Sequence, residues 1–247
     1  MRHFKRQALD SSIQSQLDLK TSTIFELTKA QRREIRLKLY ISQQSLCAYC
    51  ERRIKNIQID KIKNKDNQNE RNEDILMASH IEHFKEQHDD KSKIFEYENM
   101  LLSCEGDRFP IDKNTETSSA TQYRRTNISC GFGKEKSRHG NEINYDLLLN
   151  PTDNVSTLFS YEDGVAEAHR KCSVEQAKQV EYTIRRLNLS AIRLENERIL
   201  KISVIRAQLK GLSVEEQKAF VQDLLDETKS DLEPFFSTVK DNFGFMI

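Results

Sequence analysis

The sequence predicts an α+β protein that is mostly helical, and three observations carry that expectation. Apolar residues fill only 36% of 247 positions while charged residues fill 32%, which suits helices with solvated faces better than a dense β-sandwich. The last third opens two helices with capping boxes, S-V-E-Q at Ser173 and S-V-E-E at Ser213. The middle of the chain instead carries short apolar runs between polar stretches, the texture of brief strands.

Taken in order, residues 1–42 form an N-terminal helical segment. T-K-A-Q-R-R-E-I-R-L-K-L-Y-I starts at Thr28 as N-cap, carries Ile35 and Leu39 at helical spacing, and should end near Ser42. Residues 43–165 form a central unit. It begins with a tight knuckle and an extended I-K-N-I-Q-I-D, followed by a polar insertion at 61–73. I-L-M-A-S-H-I-E-H-F then reads as extended and Y-E-N-M-L-L-S-C as a short buried strand, with a second insertion at 105–129. T-L-F-S-Y-E-D-G-V-A-E-A-H alternates and turns at Asp163-Gly164, a hairpin signal. Residues 166–247 are helical, and the long periodic run after Leu189 stops at Gly211, a C′ glycine.

Composition excludes several classes. Lysine plus arginine balance aspartate plus glutamate at 39 each, so any nucleic-acid contact must come from a local basic patch. No apolar run approaches the roughly 20 residues that span a bilayer. The start M-R-H-F-K-R-Q-A-L-D is basic with no apolar stretch behind it, so a cytoplasmic protein is expected. No G-x-x-x-x-G-K-[ST] loop is present to bind ATP.

Five cysteines in such a chain are not a disulfide framework. Cys47-Ala-Tyr-Cys50 is a C-x2-C turn that aims two thiolates at one ion, and Cys104 and Cys130 could complete a structural zinc site. A redox pair would call for a βαβ setting, and none is visible. Cys172 stands apart. Between these cysteines lies Glu82-His83. A carboxylate can hold a divalent cation against a phosphate while a neutral imidazole takes a proton from water, although such pairs are also common on plain surfaces. Neighbours on a strand face opposite ways, so the two can meet one phosphate only at a strand end or bend. Asn99, just before the third cysteine, can bond backbone across a loop and fix the histidine. After Cys130, G-F-G-K-E-K-S-R-H-G is loose and basic, suited to phosphate contact.

C-A-Y-C, H-I-E-H-F, Y-E-N-M-L-L-S-C and C-G-F-G-K, in that order over roughly residues 40–165, resemble the HNH nucleases. The I-E-H-F form, with L-N-P-T-D-N-V further on, is similar to the PtuB family of Septu anti-phage systems, also found beside some retrons. The resemblance implies a zinc-braced ββα-metal HNH core, with His83 as general base, Glu82 as ligand of a catalytic Mg²⁺ or Mn²⁺ and Asn99 as the orienting residue. It implies structural Zn²⁺ on Cys47, Cys50, Cys104 and Cys130, and matches Lys134 to the lysine ending the family's C-N-x-x-K signature. It further implies a PtuA-like ATPase partner, which residues 166–247 are expected to dock, and a nucleic-acid substrate, DNA ahead of RNA such as tRNA. One departure stands out. The family usually places a second metal ligand, His or Asn, directly after the last cysteine, where this chain has Gly131. His139 or Asn141 could substitute, Asp107 is a remote candidate, and alternatively Glu82 and His83 hold the ion with water and substrate.

Other residues carry weaker signals. His80 shares a strand face with Glu82 and could buttress the site. Arg124, Arg125, Lys134, Lys136 and Arg138 cluster in sequence, as either a solvated face or a phosphate contact, with Lys134, Lys136 and Arg138 favoured for phosphate. The Leu/Ile stripe of 191–209 is core or partner surface. His3, His88 and His169 are expected to be solvated. A non-catalytic zinc-braced adaptor would explain the cysteines but not Glu82, His83 and Asn99.

Overall fold

The computed structural model describes residues 1–18, 27–54, 79–106, 126–135 and 139–247. The insertion 61–73, most of 105–129, and Asp107, Arg124, Arg125, Lys136 and Arg138 lie outside the described residues.

Two helices lead the chain, α1 (Ser11–Asp18) and α2 (Lys29–Ser42). Thr28 caps α2 as its spacing predicts, with Gln31 returning the bond as a full capping box. Strands β1 (Ser79–His83) and β2 (Met100–Cys104) pair antiparallel, from Ser79 opposite Cys104 to His83 opposite Met100. A five-residue helix, α3 (Cys130–Lys134), follows. The hairpin is present but small: β3 (Phe159–Ser160) pairs with β4 (Glu167–Ala168). Its turn runs through Asp163 and Gly164, both at positive φ, the region glycine tolerates best.

The remainder is helical: α4 (Val174–Leu187), α5 (Ile192–Leu209), α6 (Val214–Leu224) and α7 (Phe236–Phe243). Ser173 and Ser213 close the two capping boxes read from sequence. The chain is thus mixed α+β and mostly helical. Among the described residues no helix is long and apolar enough to cross a membrane.

One hydrophobic cluster runs through all three sequence segments. It joins Ile35 and Leu39 of α2, Tyr49 of the knuckle, Leu101 and Leu102 of β2, and Val180, Leu187 and Leu194 of α4 and α5. The main core therefore crosses the segment boundary read at residue 166. A second cluster joins α5, α6 and α7 through Ile202, Ile205, Val221, Val239 and Phe243. Polar ties add to the junction. The Glu51 carboxylate accepts from both the amide and the hydroxyl of Ser237, each at 2.7 Å, and Arg52 pairs with Glu197 at 2.8 Å. Arg198 is 1% exposed, with its guanidinium 5.0 Å from the centre of the Tyr161 ring and donating to the Leu189 carbonyl at 3.0 Å. A cation can be buried there because it is both bonded and stacked.

Candidate metal centre and the cleft beside it

Backbone geometry, more than spacing, brings the four cysteines together. Gln43 at the end of α2 grips β2, its amide oxygen accepting from the Leu102 N–H and its amide nitrogen donating to the Leu102 carbonyl, both at 2.8 Å. The knuckle turns back on itself through Cys47 N–H to the Arg52 carbonyl at 2.8 Å, and Ala48 N–H bonds the Leu102 carbonyl at 3.1 Å. Cys47 and Cys50 therefore lie over the end of β2, where Cys104 stands. Cys130 starts α3 at a φ of 59°, turning its thiol inward. The four sulfurs are buried and lie within 4.8 Å of one another, with Cys50 3.7 Å and Cys130 3.6 Å from Cys104. A tetrahedral zinc with bonds of about 2.3 Å separates its sulfurs by about 3.8 Å, so the cluster fits that ion. Burial works against a Cys47 thiolate, yet hydrogen bonds from Cys104, Cys130 and Cys50 hold its pKa well below the usual thiol value. Cys104 N–H also reaches the Cys47 sulfur at 3.3 Å. Cys172 is elsewhere, its thiol donating to the Leu158 carbonyl at 3.3 Å.

Glu82 and His83 sit at the strand end that adjacent residues need if they are to share a cleft. His83 is the last residue of β1, and its ring is buried. Nε2 lies 2.9 Å from the Ile94 carbonyl, an oxygen that can only accept, so Nε2 carries the proton and Nδ1 is the free base. The Gln87 amide lies 3.2 Å from Nδ1 and donates to it. Burial lowers the pKa of this histidine below its ordinary 6.5, favouring the neutral ring.

Asn99 holds the loop that supplies this partner. Its Oδ1 accepts from Lys85 N–H at 2.8 Å, and its Nδ2 donates to the carbonyls of Lys85 and Lys93, each at 3.0 Å. One side chain so ties both ends of the loop between His83 and Ile94. Tyr145 adds a tie from outside, accepting from Glu86 N–H at 2.9 Å and donating to Asp89 at 2.6 Å.

Lys134 differs from the phosphate contact expected of it. It is 1% exposed, and its ammonium donates to the carbonyls of His83 and Phe84 and pairs with Glu82 Oε1. Although Glu82 is itself largely buried, Lys134 and then His80 pull its pKa down to about 2, so it is a carboxylate at neutral pH. A buried cation beneath the pair positions it and does not meet solvent.

His139 and Asn141, the expected substitutes for a ligand at 131, turn away. His139 Nε2 donates to the carbonyls of Gly133 and Arg186 at 2.9 and 3.0 Å, and Asn141 Oδ1 accepts from Arg186 at 2.9 Å. Both are committed to the seam between α3 and α4. That seam is tight: a Cβ at Gly133 would stand 2.7 Å from the Leu187 carbonyl. What does face Glu82 is His80, its Nε2 3.4 Å from Glu82 Oε2, with the Phe132 ring 4.2 Å away.

His80, Glu82, His83, Gln87, Gly131 and Phe132 are among the residues lining an open cleft of about 470 Å³. A larger cavity of about 650 Å³, lined by Arg2, His3, His169 and Lys171 among others, shares no residue with it. The smaller cleft is the one that brings together the largely buried Glu82 carboxylate and the buried His83 imidazole. Glu86, His88 and Asp89 form a looser group at its rim, half-buried to exposed. Gln87 and the Ile94 carbonyl carry no motif and could not have been chosen from sequence. Gly131 was the available signal, a position where the HNH resemblance implies a ligand and this chain has no side chain. No family model matches the chain, and no curated protein matches it.

Proposed function

We propose that this chain is a metal-dependent endonuclease of the HNH type, hydrolysing phosphodiester bonds of nucleic acid, with DNA the favoured substrate. One arrangement carries the reading: a buried imidazole with Nε2–H held by a carbonyl and an unprotonated Nδ1, beside an ionised glutamate in an open cleft. The order of β1, β2 and a short helix, braced by four thiols that fit a structural zinc, supports a ββα-metal core.

Cys47, Cys50, Cys104 and Cys130 would hold Zn²⁺, and Glu82 would ligate the catalytic Mg²⁺ or Mn²⁺. That ion, when bound, supplies positive charge to the phosphate and the leaving oxygen. The protein's own groups do the rest. His83 Nδ1 takes a proton from the attacking water once the Gln87 amide gives way. The Ile94 carbonyl keeps the ring in the required tautomer and steadies the imidazolium that forms. Asn99 fixes that carbonyl through its neighbour Lys93, and Lys134 holds Glu82 ionised.

Nothing among these residues reads a base, so target choice falls to a partner. The PtuB-like reading supplies one, an ATPase, and α5 offers a face for it: Ile192, Ile199, Leu200 and Val204 are exposed along one side. Removing residues 173–247 would not test docking cleanly, since α4 and α5 contribute to the main core.

The decisive experiment incubates the protein, alone and with its ATPase, with plasmid, single-stranded DNA and total RNA. Cleavage should vanish in EDTA and return with Mg²⁺ or Mn²⁺ while zinc stays bound. His83→Ala should remain folded and zinc-loaded yet cut about 10²–10⁴-fold more slowly. Undiminished cleavage by that variant rejects the reading and leaves a zinc-braced adaptor.

A further inference from the structure

We infer that His80 is the missing ligand: with Glu82 it holds the divalent cation, and position 131 is glycine because those two side chains occupy the space its own would take. The inference rests on the nuclease reading for what the ion does, not for whether it binds.

The two side chains meet because β1 is a regular strand. His80 pairs with Ser103 and Glu82 with Leu101, so both project from the same face toward α3. Their nearest donors, Nε2 and Oε2, are 3.4 Å apart. Two atoms at that distance can each stand about 2.1 Å from one ion, the bond length of imidazole and carboxylate to a first-row divalent metal. Lys134 engages the other oxygen, Oε1, and leaves Oε2 toward the cleft.

Gly131 supplies an independent observation. A Cβ built there would stand 2.6 Å from Glu82 Oε2 and 2.7 Å from His80 Nε2, closer than atoms approach without displacement. Its φ is not positive, so the backbone itself does not demand glycine. The close approach is to the tips of the Glu82 and His80 side chains, which a side chain at 131 would have to push aside. Where a side chain at 131 would otherwise reach in, His80 reaches across from the strand.

The second nitrogen of His80 completes the pattern. Nδ1 is buried without a hydrogen-bond partner among the described residues, and the nearest carboxylate, Glu105 Oε1, lies 4.0 Å away. At that distance Glu105 makes no hydrogen bond to the ring, but a negative charge behind a ligating histidine would raise its basicity. Phe132 steadies the other side of the imidazole. The alternative role for His80 is a counter-cation to Glu82, and it predicts the opposite sign: removing a positive charge that an incoming ion must displace would tighten metal binding. A nitrogen ligand also has a consequence for metal choice, because Mg²⁺ prefers oxygen alone and Mn²⁺ accepts imidazole more readily.

The test titrates Mn²⁺ into the zinc-loaded full chain and reads free Mn²⁺ by electron paramagnetic resonance, a readout independent of cleavage. Mn²⁺ is a poor competitor for the thiolates, so zinc stays in place. His80→Ala should weaken binding by about tenfold or more, and Gly131→Val should do the same by filling the space. His80→Asp should restore binding and shift preference toward Mg²⁺. His88→Ala should leave affinity unchanged. Zinc content and thermal unfolding identify any variant that has failed to fold, and His80→Asp then decides by its metal preference.

Mn²⁺ affinity that is unchanged or tighter in His80→Ala overturns the inference, as does a wild-type chain that binds no Mn²⁺. Loss of binding in His88→Ala overturns it too, by moving the site to Glu86, His88 and Asp89. If His80-dependent binding stands while no nucleic acid is cut, the metal site survives and the nuclease reading fails. If cleavage stands while His80→Ala binds normally, the reverse holds.

Discussion

The four-cysteine cluster, on the knuckle, β2 and α3, adjoins the Glu82–His83 cleft, on β1 and α3, yet they are built on different principles. The cluster draws its ligands from three distant stretches of chain and buries all of them. Its sulfurs fit a tetrahedral zinc, which would fasten those stretches together. The cleft draws its principal groups from one five-residue strand, and the surrounding structure sets their geometry: an Asn99 tie, an Ile94 carbonyl, a Lys134 beneath. A binding site that organises itself around its ligand needs only the right donors. A reactive site must be held ready before the substrate arrives.

That contrast can be broken at its strongest point first. Cys104→Ala should lose the zinc and, with it, several kcal/mol of folding free energy. At about 2–4 °C per kcal/mol for a chain of this size, the melting temperature should fall by more than about 10 °C. Calorimetry with metal analysis checks it; a zinc-free variant with unchanged melting would show the cluster to be incidental.

Asn99→Ala comes next. It removes three hydrogen bonds to the loop and should cost about 2–3 kcal/mol, with melting lowered by about 5–10 °C while zinc content holds. Cleavage should fall as well, because the Ile94 carbonyl loses its support. Activity that stays normal in a destabilised variant would separate the loop from the chemistry.

The pH profile sharpens the comparison without a mutation. His83 must be neutral to act as base, and burial already lowers its pKa from the ordinary 6.5. A divalent cation nearby lowers it further. The acid limb of kcat/KM should therefore have its midpoint below 6.5, and vanish in His83→Ala. The same shift ties stability to pH with a definite sign. The unfolded chain takes up a proton on this histidine as pH drops below 6.5, the folded chain only lower, so acid weakens folding through that window.

The smallest expected effect lies outside both regions. Leu200 is exposed on α5, and Leu200→Asp should change stability by less than about 0.5 kcal/mol. Cleavage of a partner-independent substrate should be unaffected, while co-purification with the proposed ATPase partner should be lost. Retained complex formation would remove α5 from the docking surface.

Much of the fold was legible because local rules governed it. Thr28, Ser173 and Ser213 cap their helices by short-range hydrogen bonds, so the sequence names those starts outright. The zinc-type cluster was legible for another reason: few other side chains could hold a soft divalent ion, so counting cysteines nearly suffices. The cleft was legible only in its principal pair. Glu82 and His83 declare themselves, but what they face depends on register and on loops closing from other parts of the chain. Lys134 reads as a basic residue bound for phosphate until the core closes over it. His139 and Asn141 lie close to Gly131 in sequence, yet the α3–α4 seam claims both. His80 was visible as a neighbour on the right face of β1; only the close approach at Gly131 makes it a ligand candidate. The helices of 166–247 build one cluster of their own through Ile202, Val221 and Val239 and also lend Val180, Leu187 and Leu194 to the main core, because hydrophobic partners are chosen by proximity in space.

The cysteine cluster has one more consequence, for how this protein can change over time. Cys50 and Cys104 are 54 positions apart and Cys104 and Cys130 are 26 apart, and both spans are closed where the sulfurs meet. Closing a loop twice as long costs only about 0.6 kcal/mol more. Length added between Cys50 and β1, or between Cys104 and Cys130, would therefore cost little closure entropy and leave β1 paired with β2.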